Sequence, residues 1–259
     1  MTQADRRGYL ITALLKERPQ YARLEIPASE PEQKYLLRSL FNRRMPQPAK
    51  PEFLRVQDAY LQEETRRKGI TALRDLRPVQ PGLYLWRGDI TTLQCDAIVN
   101  AANSGLLGCF RPNHGCIDNA IHTFAGVQLR LACAQLMKKQ GHEEETGKAK
   151  ITPAFNLPCQ QVLHTVGPII QGGPTRQDKE LLASCYRSCL ELAEKNRVKN
   201  IAFCCISTGE FRFPKDQAAA IAIQTVKEYK AQTHSEIEVV FNVFQETDDR
   251  VYRELLRAD

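Results

Sequence analysis

From residue 83 onward the chain alternates short apolar runs with longer stretches whose apolar residues recur every three or four positions. That alternation constrains the fold more than any other feature. "LYLWRGDI", "CDAIVNAAN", "QQVLHTVGP", "NIAFCCIS" and "IEVVFNVF" have the length and the β-branched and aromatic content of strands. "AIHTFAGVQLRLACAQLMKK", "KELLASCYRSCLELAEKN" and "KDQAAAIAIQTVKEYKAQ" have helical period, and a short terminal helix follows the last strand. Strands alternating with helices predict one sheet covered by helices on both faces, a three-layer α/β/α domain over residues 81–259. Residues 1–80 have a different texture. "RRGYLITALLKER", "EPEQKYLLRSLFNRR" and "PEFLRVQDAYLQEETRRKGI" are helical in period and separated by proline-containing breaks such as "MPQPAKP", which predicts a small helical extension. A chain of 259 residues can bury one large core and a smaller second one.

Charge excludes one class of function. The net charge is +6, but residues 1–80 hold 16 basic and 10 acidic side chains, and the remainder holds 20 of each. The predicted α/β domain has no cationic surplus of the kind that tracks a phosphate backbone, so nucleic acid is not an expected partner. The nine cysteines are odd in number and spread through a chain too large to need disulfide staples, which suits a reducing cytoplasm. No apolar run approaches the roughly 18–20 residues of a membrane span, and no membrane association is expected.

Ligands of open α/β sheets bind at the carboxyl ends of the strands, so the polar stretches at those ends are the candidate site. "GDIT" (Gly88–Thr91) by itself is a turn with a capping aspartate. "NAAN" (Asn100–Asn103) closes a strand, and both its amides are expected at the mouth of the crevice, where each could donate to and accept from a sugar hydroxyl. "STGEFRFP" (Ser207–Pro214) joins a strand to a helix, and its small residues would let backbone N–H groups approach a phosphate. Each stretch alone is compatible with ordinary turn chemistry.

Their order is the stronger signal. "GDIT", "DAIVNAAN", "IDNAIH", "GKAKITPAFNLP", "VLHTVGP" and "ISTGEFRFP" together resemble the macrodomain family over roughly residues 80–245. The resemblance implies a macrodomain with a mixed central sheet that binds ADP-ribose. By the same carry-over Asp89 and Ile90 receive the adenine end, Asn103 faces the distal ribose, and Ser207, Thr208, Gly209, Glu210 and Phe211 wrap the diphosphate.

Between "NAAN" and "IDNAIH" the sequence departs from the glycine-rich stretch of most macrodomains and reads "LLGCFRPNHGC". Cys109, His114 and Cys116 are separated by four residues and then by one, with Pro112 and Gly115 to bend the chain, so the three can converge on one ion. Two thiolates and an imidazole favour Zn2+ over harder cations. Three protein ligands leave a fourth position for water or substrate, as catalytic zinc sites do; a zinc that only braces the loop, and unmetallated thiols, are the alternatives. His122 is the one candidate for a fourth ligand and is read as packing. Cys204 and Cys205 are read as core.

With this insertion the chain resembles the zinc-dependent branch of the macrodomains, helical extension included. The branch implies a hydrolase that removes mono-ADP-ribose from protein side chains, some of its members acting with lipoyl-carrier proteins of the glycine-cleavage type. The expected catalytic pair is Asn103, holding the ribose, and Asp118, orienting or deprotonating the attacking water; Asp118 also falls where a helix N-cap would. A reader that binds ADP-ribose without cleaving it, and a hydrolase of small ADP-ribose esters, use the same crevice. The extension contains no convergent polar motif and is expected to stand outside the chemistry, so a chain beginning near Leu83 should keep ADP-ribose binding.

Overall fold

Local signals start and stop the first three helices. In α1 (Gln3–Lys16) the Thr2 hydroxyl accepts from the Asp5 N–H while the Asp5 carboxylate accepts from the Thr2 N–H, a reciprocal cap. Ser29 caps α2 (Glu30–Arg43); α3 (Pro51–Lys68) begins on a proline, whose missing N–H costs nothing there, and stops at Gly69. The three helices bury Leu10, Ile11, Leu37, Phe41, Phe53 and Leu61 in a core of their own. The computed structural model describes residues 1–21 and 24–257.

The chain continues through β1 (Thr71–Ala72), β2 (Pro78–Gln80), β3 (Leu83–Arg87), β4 (Leu93–Gln94) and β5 (Ala97–Ala102) into α4 (Ile117–Ala125) and α5 (Val127–Gln140). Then follow β6 (Ala149–Pro153), β7 (Gln161–Val166), α6 (Arg176–Lys195), β8 (Asn200–Phe203), α7 (Lys215–Thr233), β9 (Glu238–Val243) and α8 (Glu246–Arg257). The sheet order is β2-β3-β9-β8-β5-β7-β6, with the short pair β1-β4 apart from it. Its five inner strands are parallel, and β2 and β6 close the edges antiparallel, so the sheet is mixed. β5, β7, β8 and β9 are almost wholly buried, as parallel strands covered on both faces must be, while β3 next to the edge is partly exposed. The three-layer α/β/α fold expected from the alternation is the fold observed, preceded by a helical segment.

Two details differ from the sequence reading. "AIHTFAGVQLRLACAQLMKK" is two helices, broken at Gly126, where φ is +93° and any side chain would collide with Gln57 of α3. Gln57 Oε1 accepts from the Val127 N–H at 2.9 Å, so the break is fixed by a residue of the extension. The sheet also begins upstream of residue 81: Pro78–Gln80 forms the edge strand β2, where a proline is tolerated.

Candidate active site

The parallel strands end on one side of the sheet, and the segments that leave them wall a cleft of about 800 Å³. Gly88 and Asp89 follow β3, Asn103 follows β5, Gly167 follows β7, Cys204 to Phe211 follow β8, and Phe244 follows β9. The residues expected from the sequence to bind or act on the ligand, Asn100 excepted, line this cleft: Asp89, Ile90, Asn103, Cys109, His114, Cys116, Asp118 and Ser207 through Phe211.

Asp118 sits in the cleft wall with its side chain almost wholly covered. Its Oδ1 accepts from Asn100 Nδ2 at 2.8 Å and its Oδ2 from Asn103 Nδ2 at 3.4 Å. Burial pushes its carboxyl up to about 6, against the opposing pull of the Asn100 hydrogen bond and the Arg130 charge. The two amides of "NAAN" therefore divide. Asn103 lines the cleft, whereas Asn100 lies beneath it, fully buried, contrary to the expectation that both reach the mouth. The reason is strand parity: three residues on, Asn103 has left β5, while Asn100 is still within the strand and points at α4. Asn100 Nδ2 also lies 3.2 Å from His164 Nδ1. An amide nitrogen only donates, so Nδ1 accepts and the imidazole proton is on Nε2, 2.9 Å from Thr152 Oγ1. A second expectation also changes. The N-cap of α4 is Cys116, not Asp118: its sulfur accepts from the Asn119 N–H at 3.4 Å, and Asp118 is already inside the first turn.

Cys109, His114 and Cys116 converge, their ligand atoms all within 4.8 Å of one another. Cys109 Sγ and His114 Nδ1 are 3.5 Å apart. Zinc bonds of about 2.3 Å to sulfur and about 2.0 Å to nitrogen at a tetrahedral angle span a sulfur–nitrogen edge of roughly that length, so the residues fit a zinc ion. His114 Nε2 faces Glu210 Oε1 at 3.3 Å, leaving Nδ1 for the ion, the arrangement in which an outer carboxylate fixes a ligand imidazole. Burial pushes the Cys116 thiol up to about 12, with Cys109 and Asp118 adding to the rise, while the hydrogen bond from the Asn119 N–H acts in the opposite sense. His122, weighed as a fourth ligand, is turned away from this trio. It is buried beside Cys133 and His164, 3.5 Å from Asp118 without a hydrogen bond to it, and Gly108 packs on its ring.

At the far end of the cleft Asp89 Oδ1 accepts from the Thr91 N–H and hydroxyl at 3.0 and 2.6 Å, and Oδ2 accepts from Lys68 Nζ at 3.0 Å. Burial opposes the charge, yet these partners hold the Asp89 carboxyl below its ordinary range. The Ile90 side chain is in the core, so its main chain is what can meet a ligand. Ser207 adopts a left-handed φ of +64°, and its buried Oγ has no partner within the protein. Only a glycine at 167 permits that approach, since a side chain there would reach within 2.0 Å of Ser207 Oγ.

Several cleft residues escaped the sequence reading. Phe244 follows β9 beside Gly88 and is 76% exposed, an unusual state for a phenylalanine and a stacking surface at the Asp89 end. Its position at the end of a strand was a usable signal. Cys205 is in the wall rather than the core, just beyond β8. Arg38 and Lys68 come from α2 and α3, which no local pattern could place at the cleft.

The Macro domain family model matches residues 99–222 of the chain. A protein named protein-ADP-ribose hydrolase from Treponema medium is 61% identical over 260 residues, covering 99% of this chain and all of that protein. Another of the same name from Staphylococcus aureus (strain MSSA476) is 49% identical over 253 residues, covering 97% of this chain and 95% of its own. Among solved structures, a Trypanosoma brucei macrodomain in complex with ADP-ribose superposes with a TM-score of 0.65 at 31% identity, covering 84% of this chain and 94% of that one.

Proposed function

This chain belongs to the Macro domain family, and on that premise we propose that it is a zinc-dependent protein-ADP-ribose hydrolase that removes mono-ADP-ribose from modified protein side chains. The observation that carries the reading is the meeting of two kinds of chemistry at one end of the cleft: the Cys109–His114–Cys116 trio beside a buried carboxylate, Asp118. A module that only bound ADP-ribose would have little use for either. Zinc held by that trio supplies a Lewis acid beside the scissile bond.

The protein's own residues take the remaining roles. Asp118 orients the attacking water and accepts its proton, held in one rotamer by Asn100 from below. Asn103 Oδ1 accepts from the Gly105 N–H at 3.1 Å, which fixes the amide whose other face meets the distal ribose. Ser207 Oγ and the backbone of Thr208 to Phe211 hold the diphosphate in the loop between β8 and α7, where small residues let backbone N–H groups approach an anion. Asp89 Oδ2 accepts from the exocyclic amine of adenine, whose ring lies on Phe244. The nine free cysteines support a reducing, cytoplasmic setting. A lipoyl-carrier protein of the glycine-cleavage type is the proposed modified partner, on the branch resemblance alone.

The test is to incubate the protein with mono-ADP-ribosylated protein and follow free ADP-ribose. Release at a rate proportional to enzyme supports the hydrolase. Calorimetric binding of ADP-ribose with no release identifies a reader, and release only from small ADP-ribose esters moves the activity to that substrate class.

A further inference from the structure

The loop that carries the three metal-ligating side chains does little to hold itself. Its backbone closes one turn, from the His114 N–H to the Arg111 carbonyl at 3.3 Å, and Asn113 stands at a left-handed φ of +53° that a side chain normally avoids. Arg130 of α5 lies over the Phe110 ring, and the hold on the His114 end of the loop comes from α2. Arg38 donates from Nη2 to the carbonyl oxygen of His114 at 3.0 Å. The same guanidinium donates from Nη2 and Nε to Asn119 Oδ1 at 2.9 and 3.3 Å. Asn119 then donates from Nδ2 to the carbonyls of Arg111 and Cys109 at 2.9 and 3.4 Å. One turn along α2, Asn42 Oδ1 accepts from the Asn113 N–H at 2.9 Å, and its Nδ2 donates to Thr123 Oγ1 of α4 at 2.9 Å. The residue before His114 and the carbonyl of His114 itself are thus both fastened to the extension.

We infer that Arg38 and Asn42 are positioning residues for the Cys109–Cys116 loop, so that the helical extension is a working part of the metal site rather than an appendage. The inference rests on the zinc reading above. A loop ordered before the ion arrives loses less conformational entropy on binding it, and outer contacts that fix ligand orientation typically account for about 10- to 100-fold in metal affinity. Without Arg38, the His114 carbonyl and the Asn119 amide lose their common anchor. Without Asn42, the part-buried Asn113 N–H loses its acceptor within the protein. Neither side chain supplies a ligand atom or accepts a proton, so their influence should fall on metal binding and turnover and not on the adenine end.

The experiment uses the full chain with Arg38→Met, Arg38→Lys and Asn42→Ala, and Arg55→Met, on an exposed part of α3, as a control. Zinc affinity is read by competition with a chromogenic chelator. Amide exchange of residues 109–116 is read in the metal-free protein, and ADP-ribose affinity by calorimetry. Arg38→Met and Asn42→Ala are expected to lower zinc affinity about 10-fold or more and to speed exchange across 109–116. Arg38→Lys should recover part of the loss, and ADP-ribose affinity should stay at the parent value in Asn42→Ala, whose side chain lies outside the cleft. Parent-like zinc affinity and exchange in folded Arg38→Met overturns the inference, as does an equal effect from Arg55→Met. If Asn42→Ala does not fold, Arg38→Met decides alone. Should the parent itself bind no zinc, the zinc reading fails, and the exchange measurement still decides whether α2 holds the loop: unchanged exchange overturns it, faster exchange sustains it.

Discussion

Asp118 pays for its place in the cleft wall with desolvation and is held there by two asparagine amides, an arrangement that leaves a carboxylate with fixed aim and little freedom. Asp118→Ala should therefore leave zinc at one equivalent, read by metal analysis, while turnover falls about 10²-fold or more, the scale of losing a general base. Normal turnover in a folded variant would remove Asp118 from the chemistry. At the other end, Asp89→Ala should weaken ADP-ribose binding by about 1–3 kcal/mol in calorimetry, the cost of leaving a polar partner unpaired; equal affinity would show that the adenine amine is held elsewhere. Asp89 stood out in the sequence because it follows a strand of clear apolar pattern, and Asp118 because it opens a helix within the "IDNAIH" stretch. Asn100 does not reach the mouth because β5 runs on to Ala102, and the pattern alone does not say where a strand ends. Its real partners, Asp118 and His164, lie 18 and 64 residues away.

Among the elements, the loop entering α4 joins two functions in one atom. Cys116 Sγ caps the helix by accepting from the Asn119 N–H and belongs to the trio proposed to hold zinc. Serine is a good N-cap but a poor zinc ligand, so Cys116→Ser separates the two roles. The variant should melt cooperatively near the parent temperature, bind zinc far more weakly, and lose hydrolysis while keeping ADP-ribose binding. Unfolding of the domain would instead make the zinc a structural brace. Cys109, His114 and Cys116 were readable because their spacing is a local property of the chain. The break at Gly126 and the hold of α2 on the loop were not, because Gln57, Arg38 and Asn42 act across 70 residues or more. Sequence periodicity carries no record of such partners.

For the molecule as a whole, the extension and the α/β domain share the cleft: Lys68 of α3 neutralises Asp89 and lies over the Phe124 ring of α4. A chain beginning at Leu83 would lack that cation, the loop anchors of α2 and the edge strand β2, and calorimetry on it would show whether ADP-ribose binding is kept without them. The buried imidazoles set an acid limit on the fold. Burial drops His164 to about 4 and drives His122 down as well, whereas both titrate near 6.5 when unfolded. Between about pH 6.5 and 4 the unfolded chain binds protons that the folded chain refuses, so their contribution to stability is lost as the pH falls through that window; Asp118, raised to about 6, acts in the opposite sense. His164→Gln should therefore remove about 2 kcal/mol of the stability change between pH 7 and pH 5, measured by denaturant unfolding. Identical pH dependence in parent and variant would contradict it. The central claim, a zinc ion at work beside the distal ribose, is tested most directly by hydrolysis of mono-ADP-ribosylated protein by one preparation in three states: as purified, stripped by chelator, and reloaded with one equivalent of zinc. The account predicts release of ADP-ribose in the first and third states and its loss in the second, with ADP-ribose still bound; full turnover by the folded, metal-free protein would contradict it.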